Sequence, residues 1–308
     1  MRKSTYIAFG LLLASMAGCT KKEITQVGDA ATAAQIKLIH VAPGVPAVNV
    51  SVNDVKISPV LTSSVTDNTI PISIASGVAY TSVFPGNNYA SVASGSTTIS
   101  VSTATPTPLL KSAQTVAPGV VVGNITQPTT DGAAYSVFVM GIPGGATNTL
   151  TTKIVEDKFP AVVAGKAFVR FANMVPNGQP VDLIGTYTPT GGTATPKTIA
   201  TTTAYSNVTD FVAVDVNAIN TTGYIFQMKL AGTATNFGGA LGTATTPIQL
   251  TPGRYYTVVG RGLAADVVLG NGITLKATAR PVPPSTSPDV KAPEIYFNAP
   301  GLTFYTNK

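Results

Sequence analysis

Apolar and polar positions alternate in short runs along this chain, and the clearest run occurs twice. In Ile36–Val50, IKLIHVAPGVPAVNV, Ile36 and Leu38 share one strand face with Lys37 on the other. In Val169–Leu183, VRFANMVPNGQPVDL, Val169 and Phe171 share a face with Arg170 opposite. The two segments align without a gap, Pro43 on Pro176 and Asn49 on Asp182. Each predicts a half-buried strand, a proline turn, and a second strand resuming at Val48-Val50-Val52 or Val181-Leu183.

Later landmarks recur in the same order. Ala79-Tyr80-Thr81-Ser82-Val83 matches Ala204-Tyr205-Ser206-Asn207-Val208, and NTLTTK at 148–153 matches NGITLK at 271–276. A turn glycine precedes Tyr135 before SVFVMG and Tyr256 before TVVGRG. A tyrosine entering a strand after such a corner can bury its ring and return its hydroxyl to nearby backbone, as in immunoglobulin-type sandwiches. Tyr89, after Pro85-Gly86, is a third instance of the pattern.

Short strands, frequent turn signals and little helical periodicity predict an all-β chain of two tandem immunoglobulin-like β-sandwich domains. The expected boundaries are repeat 1 over 34–158, repeat 2 over 164–280, and a Pro-rich linker with a C-terminal segment over 281–308. Tyr296, Phe297, Phe304 and Tyr305 in that last segment predict a strand or hairpin docked back on repeat 2.

The first residues read as an export signal. Arg2 and Lys3 precede an apolar stretch, Ile7–Ala14, far short of the roughly 20 residues a spanning helix needs. It runs into Met16-Ala17-Gly18-Cys19, which resembles the lipobox of bacterial lipoproteins, with Met16 where Leu is usual. The resemblance implies a lipoprotein signal peptide over 1–18, acylation of Cys19, a tether over 19–33, and a cell-envelope location, on the outer membrane. More than one acyl chain makes such anchoring effectively permanent.

Composition narrows the function. Cys19 is the one cysteine among 308 residues, so no disulfide framework and no thiolate metal site is available. Removing residues 1–18 takes two basic residues from 19 and leaves 17 against 13 acidic ones. Those charges are scattered, which excludes a nucleic-acid surface. Charged residues form only 10% of the chain, so the solvent faces must be rich in hydroxyls and amides.

The segments IHVAPGVPAVNVSVN and VRFANMVPNGQPVDL, with YSVFVMG and YTVVGRG downstream, resemble the bacterial domain-of-unknown-function family numbered 4397. The resemblance covers about residues 36–280. It implies tandem immunoglobulin-like β domains on exported or lipid-anchored proteins, and it implies no activity.

Candidate chemistry is sparse. His40 is the single histidine, and its repeat counterpart is Asn173. Hydrogen bonding at a strand end suits both residues, whereas acid–base chemistry suits one. Asp182, opposite Asn49, predicts an oxygen accepting backbone N–H groups near a turn. Asp210, Asp215 and Asn217 lack the spacing of a Ca²⁺ loop and read as a solvated face. Gly260-Arg261-Gly262-Leu263-Ala264-Ala265 lacks the helix and acidic partner of a dinucleotide fingerprint.

No catalytic, cofactor or metal residues are therefore assigned, and the chain reads as non-enzymatic. Three Thr/Gly/Ala-rich stretches, 96–108, 187–203 and 231–247, are expected as loops. Tyr187 and Phe237 in them are candidate contacts to a protein or glycan partner. The alternative is a structural component of the envelope that assembles by strand addition, and an unrecognised enzyme comes third.

Overall fold

The structure is a computed structural model that describes residues 33–58, 61–67, 70–104, 116, 119–187, 192–216, 223–278, 294–296 and 299–308; side chains are described outside 61–76 and Tyr296. The expected signal peptide, Cys19, and all of the tether but Ala33 lie outside these residues.

In chain order the strands are β1 (Ala34–His40), β2 (Val48–Val52), β3 (Val55–Lys56), β4 (Leu61–Asp67), β5 (Ile70–Ser76), β6 (Val83–Phe84) and β7 (Ala90–Val92). Then come β8 (Gly95–Thr103), β9 (Val121–Thr129), β10 (Ala134–Met140), β11 (Thr151–Glu156), β12 (Lys166–Asn173), β13 (Val181–Tyr187) and β14 (Thr195–Thr203). The last are β15 (Val212–Asp215), β16 (Tyr224–Leu230), β17 (Tyr255–Arg261), β18 (Val267–Val268), β19 (Thr274–Lys276), β20 (Glu294–Tyr296) and β21 (Gly301–Thr306). The described residues contain no helix, so the chain is all-β.

Each copy stacks two sheets. In the first, β11-β10-β1-β6, with β7 also on β1, faces β3-β2-β8-β9. Ile36, Leu38, Val50, Ile99, Val101 and Val137 fill the space between them. In the second, β15-β12-β17-β21 faces β14-β13-β16 across Val169, Phe171, Leu183, Phe226, Met228 and Val258. The β4-β5 hairpin forms a separate two-stranded sheet.

The duplication is reproduced in the register of its central strands. β1 runs parallel to β10 with Ile36 opposite Tyr135, and β12 runs parallel to β17 with Val169 opposite Tyr256. Thr81 and Ser206 hold matching left-handed φ values of 68° and 67°. Their N–H groups donate to the carbonyls of His40 and Asn173, at 2.7 and 2.8 Å.

The tyrosine corners form as expected. Gly132 and Gly253 turn the chain at φ 75° and 77°. Tyr135 then accepts a hydrogen bond from the Thr130 N–H at 3.1 Å, and Tyr256 accepts one from the Thr251 N–H at 3.0 Å. Tyr89 does not follow the pattern, because its hydroxyl donates to Asp157.

Three expectations are corrected. First, β1 and β12 are buried on both faces: Lys37 is fully enclosed and Arg170 is 2% exposed. A third core, with Ile39, Val41, Phe138, Met140, Ala172, Met174, Val259 and Tyr305, joins the two copies across those second faces. Second, the counterpart of β11 is β21 and not the NGITLK strand. Tyr135 pairs with Glu156 while Tyr256 pairs with Thr306, so Asp157 and Asn307 are equivalent. β19 lies instead in a small sheet with β18 and β20.

Third, two of the expected loops are largely strand. Most of 96–108 is β8 and half of 187–203 is β14, paired as Val48–Thr103 and Val181–Thr203. β-branched threonine is stiff at χ1 and suits an exposed pleat, so its abundance marks strand as readily as loop. The C-terminal segment docks on the second copy as expected, with β21 forming a strand of the sheet beside β17.

Candidate functional site

The densest polar constellation lies between the copies. Because β1 and β12 are equivalent, Lys37 and Arg170 enter the shared interface from opposite sides. Ser136 and Thr257, one residue beyond the two corner tyrosines, enter likewise. Asp157 and Asn307 leave β11 and β21 with the same backbone bond, N–H to the carbonyls of Ala134 and Tyr255, 2.7 Å in each case. Three residue pairs are thus repeated by the duplication.

Arg170 Nη2 meets Asp157 Oδ1 at 2.6 Å and donates to Ser136 Oγ at 3.0 Å, while Nε donates to Thr257 Oγ1 at 2.9 Å. Ser136 Oγ donates to Asp157 Oδ2 at 2.8 Å and Thr257 Oγ1 to Asn307 Oδ1 at 2.6 Å. Asn307 Nδ2 donates to the Tyr89 hydroxyl at 2.8 Å and to Asp157 Oδ2 at 3.2 Å. Lys37 Nζ donates to the carbonyls of Gly86 and Thr306 at 2.9 and 2.8 Å, below the faces of Tyr89 and Tyr305.

Burial dominates the electrostatics. It pulls the Lys37 ammonium down to about 8, against the opposing attraction of Asp157. It also pushes the Tyr89 and Tyr305 hydroxyls up, helped at Tyr89 by the neighbouring carboxylate. A carboxylate taken out of water is tolerated when it is paired and hydrogen-bonded, and here Asp157 has a guanidinium and three donors. The charged side chains of the cluster are buried, with half-buried Tyr89 at its edge, and their bonds tie the two copies together.

The residues singled out in the sequence are dispersed around this block. His40 is buried; Nε2 lies 3.0 Å from the Pro46 carbonyl, and Nδ1 accepts from the Ala42 N–H at 3.4 Å. Asn173 repeats the bond to the N–H two residues on, with Oδ1 on the Val175 N–H, while its Nδ2 donates to a different carbonyl, that of Thr203. Burial pushes the His40 imidazole down to about 4, so the ring is neutral near pH 7.

Asp182 caps two turns, accepting from the N–H groups of Thr202 and Gly232 at 2.6 and 3.0 Å. Asn49 accepts instead from the Ser58 hydroxyl at 3.3 Å. Asp215 pairs with Lys166. Asn217 lies outside the described residues, and no cluster of three metal-ligating side chains occurs among those described.

Tyr187 stacks on Tyr224 with ring centroids 5.2 Å apart, and Phe237 packs against the second core. Gly260–Ala265 leaves β17 as an irregular turn without a helix, with Leu263 buried.

Sequence reading did not find the inter-copy cluster. Its signal was present: a basic residue occupies the same interior position of the same apolar strand in both copies, as Lys37 and as Arg170.

Comparison with solved structures finds remote likeness. A protein from Bacteroides ovatus described as a "putative adhesin" is 11% identical, with 78% of this chain and 90% of that one covered, at a TM-score of 0.21. A protein from Bacteroides eggerthii described as a "putative cell adhesion protein" is 13% identical, covering 89% and 96%, also at 0.21. No curated protein matches the chain. The family model for the Domain of unknown function (DUF4397) matches residues 34–184, from β1 through the first strands of the second copy, and over that segment the chain is similar to this family.

Proposed function

We propose that this is a non-enzymatic protein of the cell envelope, anchored by lipid at Cys19, whose fused tandem sandwiches bind or display toward a protein or glycan partner. The observation that carries the reading is the use of the ionisable residues. The interior charges Lys37, Asp157 and Arg170 bond to one another's partners and to backbone, away from solvent. What β8 and β9 of the first copy's outer sheet turn outward is uncharged: Ser96, Thr98, Ser100 and Ser102 beside Asn124 and Thr126. A rigid block with hydroxyl- and amide-rich faces suits presentation and hydrogen-bonded recognition.

Two measurements test it. Cys19→Ala should move the protein from the membrane fraction to the soluble one, and retention in the membrane would refute the anchor. Protease shaving of intact cells, followed by pull-down with the Cys19→Ala chain, should cleave the protein and recover a saturable partner; an untouched protein refutes surface display. A second reading, assembly by strand addition, is favoured by β9. It is nine residues long, without a charged side chain, and pairs with β8 as the outermost strand of its sheet.

A further inference from the structure

Where the first copy passes into the second, the hydroxyl- and amide-rich surface gives way to an apolar one. Pro160–Gly165, Pro-Ala-Val-Val-Ala-Gly, has no polar side chain and is exposed at every residue. Val162 is 64% exposed and Val163 49%. An exposed apolar run of that length has no place on a solvated turn unless something covers it. We propose, on the lipid-anchored reading above, that this run is a membrane-docking loop. It seats the folded block on the bilayer that carries the Cys19 anchor, with Val162 and Val163 at the boundary between head groups and acyl chains.

The occupant follows from where the chain enters the block. The Ala33 carbonyl accepts from the Gly132 N–H at 3.2 Å. Two residues past that corner, the Ala134 carbonyl accepts from the Asp157 N–H at 2.7 Å, where β11 has ended and the linker begins. The second corner lies there too. Gly253 N–H donates to the Lys166 carbonyl at 2.8 Å, and the Val162 side chain is 3.5 Å from the place a Cβ on Gly253 would take. Entry point, both tyrosine corners and the apolar run therefore share one end of the molecule. The chain from Cys19 to Ala33 reaches at most about 50 Å, so that end stays near the bilayer at an effective concentration on the order of millimolar. A contact of two valines is then enough, because the acyl chains supply the attachment.

The charges around the run suit a head-group layer. Lys158 and Lys166 bracket it, Arg254 follows Gly253, and Lys308 Nζ lies 5.7 Å from the Phe159 ring centroid. Long basic side chains lay their stems along apolar surface and keep their charged ends among phosphates. Acids at this end, Asp131, Glu156, Asp210 and Asp215, offset much of that charge, and Asp215 is bonded to Lys166. The apolar run, and not the net charge, therefore carries the contact. Other strongly exposed valines differ: Val55 stands between Asp54 and Lys56, and Val268, 75% exposed, lies on β18 beyond the far end of β17.

The test replaces the acyl anchor by a chemical one, so that it reads the loop alone. The chain from Cys19 onward is coupled through that sole cysteine to maleimide-bearing lipid in vesicles of phosphatidylethanolamine and phosphatidylglycerol. The chain has no tryptophan, so Val163→Trp supplies a single reporter. Its emission should shift to the blue on coupling and be quenched by lipids brominated close to the head group. Val268→Trp in the same assay should stay unquenched, and adding Val162→Asp to Val163→Trp should weaken the quenching severalfold. A reporter at 163 that remains in water, or equal quenching at 163 and 268, would overturn the docking loop. Fractionation of Cys19→Ala decides the anchor itself, whatever the vesicles show.

Discussion

Replacing His40 by asparagine tests whether the histidine is a structural group that the duplication makes interchangeable with Asn173. In the folded chain the imidazole has a pKa of about 4, against about 6.5 when exposed. The folded state therefore binds fewer protons than the unfolded one between those values. The resulting stability is fully present above about pH 6.5 and is lost as pH falls toward 4. That shift amounts to roughly 3 kcal/mol in all, of which about 2 kcal/mol is lost between about pH 7 and about pH 4.5. Asn173 shows that an amide makes the bond to the N–H two residues on, while the bond to Pro46 belongs to the histidine alone. At pH 7 the change should cost that bond and the ring packing, about 2 kcal/mol together, including the edge contact with Tyr80 at 6.0 Å. Urea titrations at both pH values read the outcome. The parent chain should be ahead at pH 7, and its lead should shrink by about 2 kcal/mol at pH 4.5. Two curves that shift in parallel would refute the reasoning, since they would mean that His40 does not titrate with folding.

Two further changes probe the framework. Tyr256→Phe and Tyr135→Phe keep the buried rings and remove one acceptor each for the N–H groups of Thr251 and Thr130. Each should lose about 1–2 kcal/mol in chemical denaturation, and an unchanged midpoint would deny the corners a role. Arg170→Met leaves Asp157 buried beside two hydroxyls and an amide without its cation, so it should cost about 3–5 kcal/mol. Adding Asp157→Leu to it should recover most of that loss, because the double change removes both charges; a further loss on the double change would argue against an uncompensated carboxylate as the cause.

Much of the fold was legible because the duplication is written in positions that face one way only. Ile36, Leu38, Val48 and Val50 alternate toward one core, and their counterparts repeat the alternation, so strand, turn and strand could be placed. The tyrosine corners were legible for the same reason, being local: the donor N–H lies five residues before the ring. The failures concern what the opposite face meets. A strand with Lys37 between Ile36 and Leu38 reads as half-exposed, and burial of that lysine follows only once a second sheet lies across it. Threonine-rich segments misled because composition does not separate an exposed strand from a loop. The β11 counterpart was misplaced because β21 reaches its slot after an excursion through β18, β19 and β20, which no local pattern records.

The inter-copy block explains why those errors coincide. A face that a single copy would leave in water must, in the pair, bury side chains from both repeats at equivalent positions. Apolar residues accomplish this at Ile39 and Ala172, Val41 and Met174, and Phe138 and Val259. At the centre, basic side chains from β1 and β12 would repel if each stood alone, and two carboxylates at the β11 and β21 ends would repel in turn. Carrying Asp157 on one side and Asn307 on the other avoids the second conflict, and it leaves one anion for two cations. The surplus charge falls on Lys37, whose ammonium is the one the interior disfavours. The asymmetry between the repeats at this point is therefore what a close contact between two copies of one unit requires.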